Sequence, residues 1–275
     1  MTVRFGAVQM NTVDDKERNV ERAVELIGRA AAAGAHVVGL PENFNFLGPL
    51  SEQRANAEPI PGPTTERMRA AAAEHGIHLL AGSILEVPDN PDAAGRVYNT
   101  SVLFGPDGGE IARYRKVHLF DIEVGDRVSS RESDIMLPGG DLVVASAPGG
   151  PIGLTICFDL RFPELYRSLA LRGARVVFCP AAFTLYTGKD HWELLLRARA
   201  VENAMYVVAP AQIGAYPPDG RTFGSAMIVD PWGTVIARAP EHDSVVVAEV
   251  DEAWQDEVRK SIPSLTVRRP DVYDL

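Results

Sequence analysis

The chain has 275 residues, 27 of them basic and 37 acidic, giving a formal charge of −10, and 46% of its residues are hydrophobic. That composition excludes a disordered chain, and the acidic balance argues against a polyanion-binding protein, whose affinity would rest on neutralising phosphates. Two cysteines are too few for a disulfide framework, and no leader-like N-terminus or apolar run of about 18 residues is visible; the expectation is a soluble cytoplasmic protein with reduced thiols and neither nucleic-acid nor membrane partners.

Residues 3–10 predict a short strand. Val20, Ala23, Val24, Ile27, Ala30 and Ala31 then recur at helical spacing, and Gly34 stops that helix. Residues 36–40 read as a buried strand ending at Pro41, followed by a Pro- and Gly-rich loop up to Pro63. A helix capped by Thr64 or Thr65 runs to about Glu74 with Gly76 as its stop, and residues 77–85 form the next strand. Residues 97–104 and 110–115 predict a hairpin across a Gly-containing turn. Residues 118–140 show no period and read as a long ordered loop, of the kind that is functional when it occurs inside a compact domain.

Residues 152–157 predict a strand, and Pro163 suits the first position of a helix to Arg172. A strand over 175–179 and a helix from about Asp190 to Asn203 follow. Further strands are predicted over 205–209, 224–229, 234–238 and 244–250, with Asp230 to Gly233 turning between two of them. The tail, 262–275, has two prolines and reads as extended. With no linker and no repeat, residues 1–275 read as one α/β domain with helices covering sheet faces.

Four polar residues stand at or beyond the ends of these runs, where rigid scaffolds place active-site groups. Glu42 directly follows VVGLP; taken alone it reads as a surface loop carboxylate ahead of a general base held at a strand end. Lys116, in YRKVHLF, is either an exposed strand-terminating lysine or a cation placed to stabilise an oxyanion. Cys157, in GLTICFDLRFPEL, lies in a strand–turn–helix setting like a nucleophile elbow, where the following N–H groups can bind an oxyanion. A free thiol titrates at about 8.5 and needs a base or cation nearby for nucleophilic work. Glu132, in RESDIMLPGG, reads as a solvated loop charge without further information. Cys179 is left in the core. No zinc-ligand spacing and no phosphate-binding glycine loop is present. A Cys–His dyad would need His118 or His191, and His191 opens a helix in which Arg197 and Arg199 favour a structural or subunit-contact role.

The segments PENF, YRKVHLFD, TICFDLRFPEL, HWELLLRARAVEN, SAMIVDPWGTVIA and RRPDVY, in this order along the chain, resemble the nitrilase superfamily of carbon–nitrogen hydrolases, and within it the amidase branch that includes deaminated glutathione amidase and omega-amidase. The resemblance implies a four-layer α-β-β-α sandwich that pairs into dimers. It implies Glu42 as general base, Lys116 as oxyanion-stabilising lysine, Cys157 as nucleophile and Glu132 as the second glutamate, orienting substrate and lysine. The Phe158 N–H would complete the oxyanion hole, although the superfamily often has Tyr at that position.

Segments 43–63, 183–189 (beginning at Phe183) and 213–222 would line the pocket, and Arg131, Lys189 and Arg221 are candidate partners for an acidic substrate. The implied reaction passes through a thioester to a carboxylic acid and ammonia, with no metal or organic cofactor. An N-carbamoyl amidohydrolase or nitrilase on the same scaffold, and a non-catalytic binding protein, are the alternatives.

Overall fold

The computed structural model describes residues 3–90, 92, 94–125 and 128–273. In chain order it runs β1 (Val3–Met10), α1 (Lys16–Ala32), β2 (Val37–Gly39), α2 (Leu50–Ala55), α3 (Pro63–His75), β3 (His78–Leu80), β4 (Ile84–Glu86), β5 (Tyr98–Phe104) and β6 (Glu110–Arg115). The middle continues through β7 (Asp121–Val124), β8 (Val128–Arg131), β9 (Val144–Ala145), β10 (Ile152–Leu154), α4 (Pro163–Leu171), β11 (Val176–Phe178) and α5 (Leu185–Asn203). Last come β12 (Tyr206–Ala209), β13 (Ala211–Tyr216), β14 (Gly220–Phe223), β15 (Met227–Val229), β16 (Val235–Arg238), β17 (Ser244–Val250) and α6 (Glu252–Ser261). Two 3-10 turns, Glu132–Asp134 and Cys157–Arg161, carry candidate site residues.

One sheet has the order β14-β13-β1-β2-β3-β5-β4, with β17 also paired to β1 and β6 to β5; a second has the order β16-β15-β12-β11-β10-β9. The period-two alternation of the strands sorts their side chains into two cores. Phe5, Ala7 and Val37 meet Leu154, Val177 and Phe178 between the sheets. Val8, Met10, Val38 and Leu40 instead pack on Leu26 and Ile27 of α1 and Met68 of α3. On the far side, Leu165 and Leu169 of α4 and Trp192 and Leu196 of α5 cover the second sheet. The result is the α-β-β-α sandwich. The sheets approach closely three residues before Glu42: a Cβ at Gly39 would lie 2.6 Å from Phe178 and 2.9 Å from Pro210, so a side chain there would force the packing to shift. The helix ends obey local rules. Asp15 accepts from the Arg18 N–H to start α1, and Gly76 at φ 61° ends α3.

Several expectations are corrected. The aperiodic stretch 118–140 contains the hairpin β7–β8 and a 3-10 turn; its strands bury neither face fully, so no apolar alternation marks them. Residues 126 and 127 within it lie outside the described residues. The run 77–85 divides into β3 and β4 around Gly82, whose φ of 26° breaks the strand. The strand predicted over 152–157 stops at Leu154. Helix α5 begins at Leu185, five residues early, because Thr184 caps it. The hairpin β13–β14 and helices α2 and α6 had no counterpart in the sequence reading. The tail folds into two turns, through Pro263 to Val267 and Arg269 to Tyr273, in place of the extended run expected; its last two residues lie outside the described residues. Among the described residues no helix is long and apolar enough to cross a membrane.

Candidate active site

Parallel strands deliver loops to one edge of a sheet, and in this fold two sheets do so side by side. Glu42 stands three residues beyond β2, Lys116 directly follows β6, and Cys157 stands three residues beyond β10. The structure brings all three together with Glu132, the first residue of the turn after β8. The Lys116 ammonium, 1% exposed, lies 2.9 Å from Glu42 Oε1 and 2.9 and 3.0 Å from the two oxygens of Glu132. Burial works against its charge, but the carboxylates of Glu132 and Glu42 outweigh burial and hold Lys116 well above the ordinary lysine range.

Each carboxylate is held from the backbone as well. Glu42 Oε1 also accepts from the Asn99 side-chain amide at 3.0 Å, and its Oε2 accepts from the Ala182 N–H at 2.9 Å. Gln212 donates to the Glu42 carbonyl at 2.9 Å. Glu132 Oε2 accepts from the Phe120 N–H at 2.7 Å. Burial first, and then repulsion from Glu42, push the Glu132 carboxyl up against the pull of Lys116. Two carboxyl groups and one ammonium thus share one buried site.

Cys157 opens its 3-10 turn at φ 46°, in the left-handed region that non-glycine residues avoid. Its N–H donates to the Pro180 carbonyl at 2.9 Å. The Phe158 N–H follows in the first turn, where a helix has no internal acceptor to offer. Burial and the adjacent Glu42 carboxylate, which hydrogen-bonds the thiol, push Cys157 well above the ordinary thiol range, with Lys116 opposing. These residues line a cavity of about 210 Å³ together with Phe120, Phe158, Phe183, Thr187 and Tyr216. Phe183 is buried against Trp192, their ring centres 5.0 Å apart.

The other sequence candidates fall elsewhere. Arg131 is exposed on β8 and does not line the cavity. Lys189 and Arg221 line an outer cavity of about 610 Å³ that shares Ser129, Thr184 and Tyr216 with the inner one. His118 hydrogen-bonds Asp159, and His191 contacts Arg161. Cys179 is buried in the core, where burial pushes its thiol up to about 12.

Sequence reading missed Asn99, the Ala182 N–H and Arg161. Asn99 had a signal: Asn99, Thr100 and Ser101 are three consecutive polar residues in a fully buried strand. A backbone donor leaves no such mark. Arg161 is half-buried, its guanidinium 5.4 Å from the Phe183 ring centre and 5.9 Å from that of Phe158. Burial lowers it from the ordinary arginine value, with Cys157 opposing. Among the described residues no carboxylate pairs with it. Among them, too, no group of three His, Cys, Asp or Glu side chains is placed to hold a metal ion.

A cysteine thus stands beside a buried Glu–Lys–Glu cluster at the meeting edge of two sheets in an α-β-β-α sandwich, and comparison with known proteins places that fold among hydrolases. The chain belongs to the carbon–nitrogen hydrolase family, whose model matches residues 4–260. It is 45% identical over 264 residues to the deaminated glutathione amidase of Synechocystis sp., covering 95% of this chain and 96% of that one. It is 39% identical over 272 residues to the omega-amidase NIT2 of Xenopus tropicalis, covering 99% and 97%. Among solved structures it resembles the C. elegans NitFhit protein, with a TM-score of 0.91 and 39% identity over 99% of this chain and 66% of that one.

Proposed function

We propose that the protein is an amidase that hydrolyses a small linear amide to a carboxylic acid and ammonia, and that Cys157, Glu42, Lys116, Glu132 and the Phe158 N–H carry the reaction. The observation behind this reading is the Lys116 ammonium, fixed between two carboxylates beside a buried thiol at the wall of a small cavity. Glu42 takes the Cys157 proton as the sulfur attacks the amide carbon. The carbonyl oxygen becomes an oxyanion held by Lys116 and the Phe158 N–H, and Glu132 keeps the lysine in place. The carbon–nitrogen bond then breaks, Glu42 protonates the departing nitrogen, and a thioester remains. Water, deprotonated by Glu42, attacks the thioester and restores the thiol.

The cavity lies below the roughly 300 Å³ lower bound of drug-sized sites and suits an acyl chain of a few carbons. Arg161 does not itself line this cavity but stands against Phe158 and Phe183, which do, with no carboxylate partner among the described residues; in this reading it is the cation that would receive a distal carboxylate reaching past those rings. Similarity to a deaminated glutathione amidase and an omega-amidase supports an amide of that type. In the same reading residues 1–275 form one hydrolase domain, the protein works in the reducing cytoplasm with both cysteines free, and two copies pair.

The test is ammonia release from a panel of deaminated glutathione, α-ketoglutaramate, succinamate, an N-carbamoyl amino acid and a simple nitrile, with Cys157→Ala as control. Turnover of an amide that the substitution abolishes is the expected result. Turnover confined to the carbamoyl compound or the nitrile would replace the amidase reading.

A further inference from the structure

The turn that aims the Cys157 sulfur is strained at its first residue, and such a conformation persists only where the surroundings impose it. Asp159, two residues on and fully buried, supplies the constraint. Its Oδ2 accepts from the Ile156 N–H at 2.8 Å and from the Tyr114 hydroxyl at 2.7 Å. Its Oδ1 accepts from the His118 N–H at 3.1 Å and lies 2.8 Å from His118 Nδ1. A carboxylate only accepts, so the imidazole proton sits on Nδ1. The His118 ring in turn stacks on Phe162 at 3.6 Å between centres, and the Phe162 N–H donates to the Asp159 carbonyl at 3.0 Å.

The sources of these bonds matter more than their number. Ile156 immediately precedes the cysteine, whereas Tyr114 and His118 stand two residues before and two residues after Lys116. One buried carboxylate therefore ties the segment of one sheet that carries the lysine to the turn of the other sheet that carries the thiol. The Phe158 N–H lies inside that turn, between Cys157 and Asp159. Nothing in the reaction requires Asp159 to touch substrate.

We propose that Asp159 is a positioning residue that sets the spacing between the Cys157 sulfur, the Phe158 N–H and the Lys116 ammonium, with Tyr114 and His118 as its arms across the sheet junction. The inference rests on the roles assigned to Cys157, Lys116 and Phe158. Two oxyanion donors on different sheets stabilise a tetrahedral intermediate only if both reach the same oxygen, and a displacement of about 1 Å costs on the order of a hundredfold in rate.

The experiment compares wild type with Asp159→Asn and Tyr114→Phe. An asparagine has one acceptor oxygen in place of two, so at least one arm loses its partner; the phenylalanine removes a single hydrogen bond. For each variant, kcat, KM and thermal midpoint are measured on an acid-terminated amide, and kcat is divided by the fraction of Cys157 that iodoacetamide labels in folded protein. The expected result is a fall in kcat per reactive thiol of about a hundredfold for Asp159→Asn and about tenfold for Tyr114→Phe, with KM within threefold of wild type. A kcat per reactive thiol within twofold of wild type in both variants, with loss confined to the thermal midpoint or the folded fraction, would overturn the proposal. Should Asp159→Asn not fold, Tyr114→Phe decides by the same criterion. Failure of the underlying roles is separable, since it would appear as retained turnover in Cys157→Ala.

Discussion

At the scale of single residues, the buried thiol sets the most unusual condition. Burial and Glu42 hold Cys157 well above the ordinary thiol range, so at neutral pH it is protonated and attack requires a base at that moment. This separates two roles of Glu42 that have opposite signs. As a base it promotes amide hydrolysis; as a neighbouring negative charge it keeps the thiol from ionising. Glu42→Gln should therefore slow hydrolysis by about 10²–10⁴, yet bring the onset of Cys157 alkylation by iodoacetamide to lower pH, because the repelling charge is gone. Alkylation followed by mass spectrometry from pH 6 to 10 checks this, and a wild-type rate that levels off near neutrality would show an already ionised thiol and contradict it. Arg161 makes a second expectation at this scale. Arg161→Met should lower kcat/KM about 10- to 100-fold on an amide with a distal carboxylate, the range of a hydrogen bond to a charged group, and leave a neutral aliphatic amide of similar length within threefold. Equal losses on both substrates would mean that the guanidinium supports the Phe158 and Phe183 rings and does not read the substrate.

At the scale of elements, the lysine depends on a staple one residue away. Glu86 on β4 is buried and accepts from Arg115 on β6 at 2.7 and 2.9 Å, from Arg113 at 3.2 Å and from Thr100 on β5 at 2.6 Å. Burial alone would raise its carboxyl; the bonds from Arg115 and Thr100 and the charges of Arg115 and Arg113 outweigh it and hold it below the usual range. A depressed carboxyl contributes stability that is complete above its unfolded value of about 4.3 and is lost as pH falls through the lower folded value. Glu86→Gln should cost about 2 kcal/mol at pH 7, and the gap in thermal midpoint from wild type should narrow at pH 3. A gap of the same size at both values would place its cause in packing. The same region shows what was legible in the sequence. Glu42 and Cys157 could be picked out because an apolar run ends at each, and such a boundary is local; Lys116 follows the charged run EIARYR and is marked by its motif alone. The β7–β8 hairpin was hidden because its faces are partly solvated, and the early start of α5 because its first turn holds Thr187 and Gly188, which carry no apolar period. Meetings between distant segments, such as Asn99 with Glu42 within the first sheet or Asp159 with Tyr114 across the sheet junction, arise from tertiary packing and leave no spacing in the chain.

At the scale of the whole molecule, the sandwich leaves large apolar side chains exposed on one helix face. Leu194 and Val201, seven residues apart on α5 and thus two turns along one face, are 66% and 51% exposed. Trp232, in the turn between β15 and β16, is 53% exposed beside them: Val201 packs against Gly233, and Arg197 donates to the Gly233 carbonyl at 2.8 Å. Large apolar side chains scattered singly over a surface are ordinary, but a group of them on adjoining elements marks an interaction site. In the reading that two copies pair, a second copy would cover this patch, since Arg197, Glu193 and Arg238 around it carry both signs of charge, as a self-complementary contact needs. Light scattering at micromolar concentration should therefore give twice the chain mass. Val201→Glu should shift it toward the single-chain mass, because pairing would then bury a carboxylate with no partner. A wild-type mass of one chain, or a Val201→Glu protein that still pairs, would move the contact to another face of the sandwich.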